Sequence, residues 1–135
     1  LFIDLNGFKS VNDQYGHKFG DLLLGRVAVR MRDTVRESDT VARIGGDEFT
    51  LILTDVANYQ QCKALVEKIL AAICKPYLIQ DIVVDVGASI GVACFPDDAQ
   101  EEADLLSLAD KAMYQSKASG ESRITFASAW RSPDD

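Results

Sequence analysis

The apolar residues of this chain change period several times, and each change predicts an element. Residues 1–5 alternate toward a strand that ends at Asn6-Gly7. Turn-forming residues follow around Asn12-Asp13 and Tyr15-Gly16-His17, which reads as an irregular segment. Over residues 21–36, Leu24, Val27, Ala28, Met31 and Val35 fall on one helical face, with Arg26, Arg30 and Arg32 largely on the other. Residues 40–44 and 49–53 are short β-prone runs around Gly45-Gly46-Asp47-Glu48, a hairpin signal. Cys62, Leu65, Val66, Ile69, Leu70 and Ile73 repeat at helical spacing, and that helix ends before Pro76.

Residues 82–95 form the clearest strand. Ile82, Val84, Val86, Ala88, Ile90, Val92 and Cys94 face one way, and Asp85, Gly87, Ser89 and Gly91 the other. Asp104 is placed to cap a last helix, with Leu105, Leu108, Ala109, Ala112 and Met113 as its buried stripe and an end near Gly120. Residues 124–126 give a final strand. The order strand, helix, hairpin, helix, strand, helix predicts an α/β chain of the α+β sandwich kind: a mostly antiparallel central sheet flanked by helices around one core. The domain is expected over residues 1–127, with 128–135, rich in Ser, Asp and Pro around Trp130, as a tail or linker.

Bulk properties narrow the function. A composition of 47% hydrophobic and 26% charged residues is that of an ordinary globular domain. The net charge of −7 argues against a nucleic-acid partner, which relies on cations to neutralise many phosphates. It leaves room for a small anionic ligand held by local cations, backbone N–H groups and metal. No apolar run reaches the roughly 20 residues of a spanning helix. Cys62, Cys74 and Cys94 are odd in number and widely spaced, as expected of reduced residues in a cytoplasmic domain. With no initiator Met, the chain reads as a piece of a larger protein, and a membrane anchor or sensor outside it stays compatible with that reading.

The chemistry concentrates at Arg43-Ile44-Gly45-Gly46-Asp47-Glu48-Phe49. Two glycines permit a tight turn, and two acids follow on an otherwise apolar hairpin. Alone, this is also what an exposed turn looks like. Asp4 shifts the balance. It interrupts an apolar strand where burying a carboxylate is costly. If that strand lies beside the hairpin, Asp4, Asp47 and Glu48 meet, and a hard divalent cation relieves their repulsion.

Gly45-Gly46-Asp47-Glu48-Phe49 resembles the signature of the GGDEF family, the diguanylate cyclases. The same family is resembled, in the right order, by residues 4–9, Val11-Asn12-Asp13, Gly16-His17, Gly20-Asp21, residues 89–93 and residues 109–114 leading to Lys117. The resemblance implies a palm-like nucleotide cyclase fold. It implies condensation of two GTP into cyclic di-GMP and pyrophosphate across a homodimer, with Mg²⁺ or Mn²⁺ as cofactor. By motif position, Asp4, the Leu5 carbonyl and Asp47 would bind metal, and Asp47 or Glu48 would activate the attacking hydroxyl. Asn6, Gly7, Phe8 and Lys9 would wrap the β- and γ-phosphates, with Lys117 adding a cation. Asn12 and Asp21 would read guanine; an ionised carboxylate accepts from both N1–H and the 2-amino group. Taken only as residues, Asn12 is equally a turn former and Asp21 a helix cap. His17 is expected to shape its loop. Arg36 and Asp39 match the family's Arg-x-x-Asp site for inhibitory product, where an exposed salt bridge is the plainer reading.

Three departures stand out. Glu121 occupies the position where the family usually carries a phosphate-binding Arg, with Arg123 two residues on as a substitute, and it opposes a triphosphate. Asn6 replaces a second acid. The family's usual leading helix and Asp-x-Leu-Thr-x-Leu-x-Asn-Arg segment do not precede the first strand. The expectations are therefore an active cyclase domain attached to sensory or phosphodiesterase domains, or a weakly active or inactive GTP-binding regulatory module, or a cyclic di-GMP receptor acting through Arg36 and Asp39.

Overall fold

The structure is a computed structural model and describes residues 1–118 and 123–127. Strand β1 (Phe2–Asn6) leads into helices α1 (Phe8–Tyr15) and α2 (His17–Thr34). The hairpin β2 (Thr40–Gly45) and β3 (Glu48–Ile52) follows, then α3 (Tyr59–Cys74). Short strands β4 (Tyr77–Ile79) and β5 (Ile82–Val84), β6 (Gly87–Val92), α4 (Glu102–Ala118) and β7 (Arg123–Phe126) complete the chain. The main sheet runs in the order β2-β3-β1-β6-β7, antiparallel except for β6 with β7. The α+β architecture expected from the sequence is the one observed.

Strand parity divides the molecule. Ile3 and Leu5 of β1, Phe49 and Leu51 of β3, and Ala88, Ile90 and Val92 of β6 join the main core with Leu23, Val27 and Met31 of α2 and Val66, Ile69 and Ile73 of α3. Phe2 instead packs with Ala109 and Met113 of α4 in a second, smaller cluster. Asp4 shares Phe2's parity, so its position in β1 turns it toward the α4 face. The helix can sit close because Gly91 offers no side chain there. A Cβ on Gly91 would lie 1.9 Å from the Ala109 carbonyl oxygen.

Four sequence expectations need correction. The segment read as irregular is helix α1, whose Phe8 and Val11 are buried one turn apart; that spacing outweighs the turn preference of Asn12 and Asp13. It is bounded by Gly7 and Gly16, both at positive φ (85° and 91°). Helix α2 starts at His17, so Asp21 lies inside it, exposed, and is not its cap. Asp104 is likewise the third residue of α4. The long strand over 82–95 is two strands in two sheets. Residues 82–84 pair back on β4, and 87–92 join the main sheet, while Val84, Val86 and Ala88 carry the buried alternation across the break. The β4–β5 turn places Gln80 and Asp81 at positive φ without glycine or asparagine, which hid the hairpin. The expected helix end at Gly120, Glu121 and the tail 128–135 lie outside the described residues.

Arg30, expected on the open face of α2, ties two helices together. It donates to the carbonyls of Ala72 (3.0 Å), Lys75 (2.5 Å) and Pro76 (2.6 Å), and its guanidinium lies 3.5 Å from the Tyr77 ring centroid. These carbonyls belong to the C-terminal turn of α3 and the residues after it, where a helix leaves acceptors unsatisfied.

Candidate active site

Register brings the acids together. Asp4 pairs directly with Glu48, and the Leu5 N–H donates to the Asp47 carbonyl at 3.1 Å. The β2–β3 register shifts between Arg43 and Gly45, and Gly46 turns at φ 51°. Arg43 Nε donates to the Gly46 carbonyl at 2.9 Å and holds the turn. The bend thus delivers Asp47 beside the end of β1.

Asp4 is only 4% exposed. Its Oδ2 accepts from Lys117 Nζ at 2.5 Å, while its Oδ1 is buried without a hydrogen-bond partner. Lys117 reaches it from the last turn of α4, and the Asp4 hydrogen bond holds the ammonium above its usual pKa. Burial first, then the Asp4 charge, pushes the Asp47 carboxyl up. Glu48 is raised in the same way, by burial and then by the charges of Asp4, Asp110 and Asp47. Lys117 therefore faces a cluster of acids that repel one another.

A cleft of about 310 Å³ opens over this point, lined by Leu5, Asn6, Gly7, Phe8, Lys9, Asp47 and Lys117. Each of these was a candidate on sequence grounds. Gly7, in the left-handed region at φ 85°, turns β1 into α1 and presents the start of that helix to the cleft. Ser89 Oγ donates to Asn6 Oδ1 at 3.2 Å and orients that side chain beside the cleft.

The residues present fit a divalent cation. Among the described residues no three His, Cys, Asp or Glu side chains form a complete metal cage. Asp4, with an orphaned buried oxygen, and Asp47 beside it supply two carboxylates. Magnesium is commonly held that way, its other positions going to water and phosphate.

The remaining candidates lie apart from this cleft. Asp21 opens on a second cleft of about 380 Å³ with Leu24, Arg43 and Phe49 among its walls. Asn12 packs on Gly20, where a Cβ would lie 1.7 Å from Asn12 Oδ1, itself buried without a partner. Arg36 and Asp39 sit beyond the far end of β3. Asp39 is buried, and its carboxylate accepts from Thr54 N (2.9 Å), Thr54 Oγ1 (3.1 Å) and Arg36 N (2.9 Å). Arg36 is exposed and donates to the Thr54 carbonyl at 2.9 Å. Asp110 was read only as part of the family-like run 109–114 and was given no role of its own, and nothing in the sequence pointed to Thr54.

The family model of the diguanylate cyclase GGDEF domain matches residues 1–123. The chain belongs to the GGDEF family. This domain is 47% identical over 126 residues to the bifunctional diguanylate cyclase/cyclic di-GMP phosphodiesterase MucR of Pseudomonas aeruginosa, covering 93% of this chain and 18% of that protein. Diguanylate cyclase TpbB of the same species is 42% identical over 118 residues, 87% of this chain and 27% of TpbB. The chain thus spans a small part of the curated relatives it matches. The crystal structure of the TpbB GGDEF domain superposes with a TM-score of 0.89 at 38% identity, over 94% of this chain and 80% of that one. The GGDEF domain of DgcB from Caulobacter crescentus, solved in complex with c-di-GMP, gives 0.79 at 25% identity over 93% and 74%. Among the described residues no helix is long and apolar enough to cross a membrane.

Proposed function

We propose that this GGDEF domain is a diguanylate cyclase catalytic unit that condenses two GTP into cyclic di-GMP and two pyrophosphates. The observation that carries the proposal is the buried, unpartnered Oδ1 of Asp4 beside Asp47, which lines the cleft together with Asn6, Gly7, Lys9 and Lys117. Asp4, Asp47 and the Leu5 carbonyl would hold Mg²⁺ or Mn²⁺, which when bound would supply charge neutralisation for the phosphates.

The chain's own residues do the rest. Asn6 to Lys9, at the start of α1, cradle the β- and γ-phosphates, and Lys117 pairs with them. Asp21, in the second cleft, and Asn12 read the guanine edge. A 3′-hydroxyl oxygen bonds to the α-phosphorus of the other nucleotide, and the bond from that phosphorus to the pyrophosphate oxygen breaks. The hydroxyl proton passes to Asp47 or Glu48. Each domain binds one GTP, so the product requires two domains face to face. The arrangement works by positioning and charge compensation, with no protein nucleophile.

Arg36 is the ligand-facing member of a product site, and Asp39 lies against it. The complex of DgcB with c-di-GMP supports product binding in this family. The name of MucR supports an attached phosphodiesterase domain in the whole protein. Glu121 favours a second reading, a GTP-binding module of weak turnover that regulates its neighbours.

Incubation with GTP and Mg²⁺, followed by chromatography for cyclic di-GMP and pyrophosphate, tests the proposal. Synthesis abolished by Asp47→Ala supports the enzyme. GTP binding without synthesis, by the whole protein as well as this chain, transfers support to the regulatory module.

A further inference from the structure

The two oxygens of Asp4 stand in unlike surroundings. Asp4 Oδ2 is bonded to the Lys117 ammonium at 2.5 Å, and Asp4 Oδ1, buried with no partner, belongs to the same group. Asp4 itself is fixed in the centre of the sheet, between β3 and β6. Lys117 is not fixed in this way. Its side chain is half exposed, projects from the last turn of α4, and also lines the cleft walled by Asn6, Gly7 and Lys9. Its four-carbon stem gives the ammonium two reachable places, one on Asp4 and one outward in the cleft.

Resting on the metal-site reading above, we propose that Lys117 is the counter-ion that a divalent cation must displace from Asp4. The displaced ammonium then turns outward to meet phosphate. A cation on Asp4 and Asp47 would stand within a few ångströms of the ammonium, where like charges repel strongly in a partly buried setting. The ammonium has an exit and the carboxylate does not. Lys117 therefore opposes a bare divalent cation and favours a cation that arrives with phosphate. The exchange keeps Asp4 neutralised at every stage and links cation loading to nucleotide loading through one side chain.

The test is Mn²⁺ binding to the chain without nucleotide, read by electron paramagnetic resonance of the free ion. Lys117→Gln is expected to bind Mn²⁺ at least five-fold more tightly than the unaltered chain, and Lys117→Arg, which keeps the charge, about equally to it. Asp4→Asn should lose binding. A second measurement needs no variant. Saturating Mn²⁺ should speed acetylation of Lys117, followed by peptide mass spectrometry, because the amine leaves its ion pair. Equal or weaker Mn²⁺ binding by Lys117→Gln, or unchanged Lys117 labelling, overturns the exchange while leaving the metal site intact. If neither the unaltered chain nor Lys117→Gln binds Mn²⁺, the metal-site reading fails with it.

Discussion

Adding one methyl group at Gly91 should unseat the helix that carries Lys117. A Cβ built there lies 1.9 Å from the Ala109 carbonyl oxygen and 2.4 Å from the Met113 nitrogen, both backbone atoms of α4. Neither can rotate away, so the helix must shift by more than about 1 Å to restore ordinary contact. Ser116 Oγ anchors the same helix to the Ile90 carbonyl (3.1 Å) and to Thr125 Oγ1 (2.6 Å), and those bonds would stretch. Overpacking against side chains costs about 1–3 kcal/mol. Against backbone the upper end applies, about 3 kcal/mol, or a melting-temperature loss of about 12 °C for a domain of this size. The control is Gly25→Ala. Gly25 has nothing within 4 Å of a built Cβ and sits in α2, so the same methyl group should stabilise by about 0.5–1 kcal/mol through helix propensity. Thermal unfolding followed by circular dichroism reads both. A loss of less than about 4 °C in Gly91→Ala, near 1 kcal/mol for a domain this size, would show that α4 is not held as close as this contact requires.

The other consequences are shorter. Arg30→Ala removes three donated hydrogen bonds and a cation–π contact, and should lower the urea-unfolding free energy by about 2–3 kcal/mol; a change under about 0.5 kcal/mol refutes the capping role. Asp47→Asn should abolish synthesis yet raise the melting temperature in chelator, because it removes one of several repelling charges; solvent screening at this half-buried group keeps the gain below about 1 kcal/mol, and a loss of stability contradicts the crowding. Asp39→Asn should cost about 2 kcal/mol at pH 7. Burial pushes the Asp39 carboxyl up, but hydrogen bonds from Thr54 and Arg36 outweigh it and hold the folded pKa below the usual value. Its contribution is therefore present above the unfolded pKa of about 3.9 and lost as pH falls through the lowered folded value. Urea midpoints for the two proteins should converge in acid, and a gap that stays constant from pH 7 to pH 3 rules out the linkage.

Elements with a strong period and a clear turn or proline signal were readable from the chain alone. The β2–β3 hairpin and α3 needed nothing else, and of the expected stripe of α4, Ala109, Ala112 and Met113 are buried while Leu105 and Leu108 are half-buried. What escaped was set by neighbours. Helix α1 is eight residues long, too short to stand by propensity, and forms because Phe8 and Val11 reach the core and Tyr15 stacks 4.7 Å from Phe19 of α2. The split of 82–95 was invisible because both strands bury the same parity. In the site, ordered motifs identified the residues lining the first cleft, and the pairing of β1 with β3 was anticipated. The partner of Asp4 was not. Lys117 lies 113 positions away in the chain and was assigned to phosphate, and only the packing of α4 over Gly91 brings it to a carboxylate. Asp39 shows the converse. Its motif suggested a ligand contact, while its oxygens are already engaged by Thr54 and Arg36, a tertiary fact with no periodic trace.

These placements share a single frame. The strand pair β1–β3 is flanked by helices on both faces, and its residues alternate between a large apolar core and a face that receives α4. A carboxylate on the first face of β1 would enter the large hydrophobic core and could not persist charged. On the second it meets Lys117, with Glu48 opposite in register and Asp47 at the turn. The acids are therefore gathered by strand pairing: Asp4 lies mid-strand in β1, Glu48 opens β3 and Asp47 ends the turn between β2 and β3. Hydrophobic burial on the reverse side of β1 and β3 opposes their repulsion. Backbone pairing thus sets where Asp4, Asp47 and Glu48 stand: the Leu5 N–H bond to the Asp47 carbonyl and the Arg43 bond to Gly46 hold the bend against β1. That fixed placement is what chemistry relying on positioning requires.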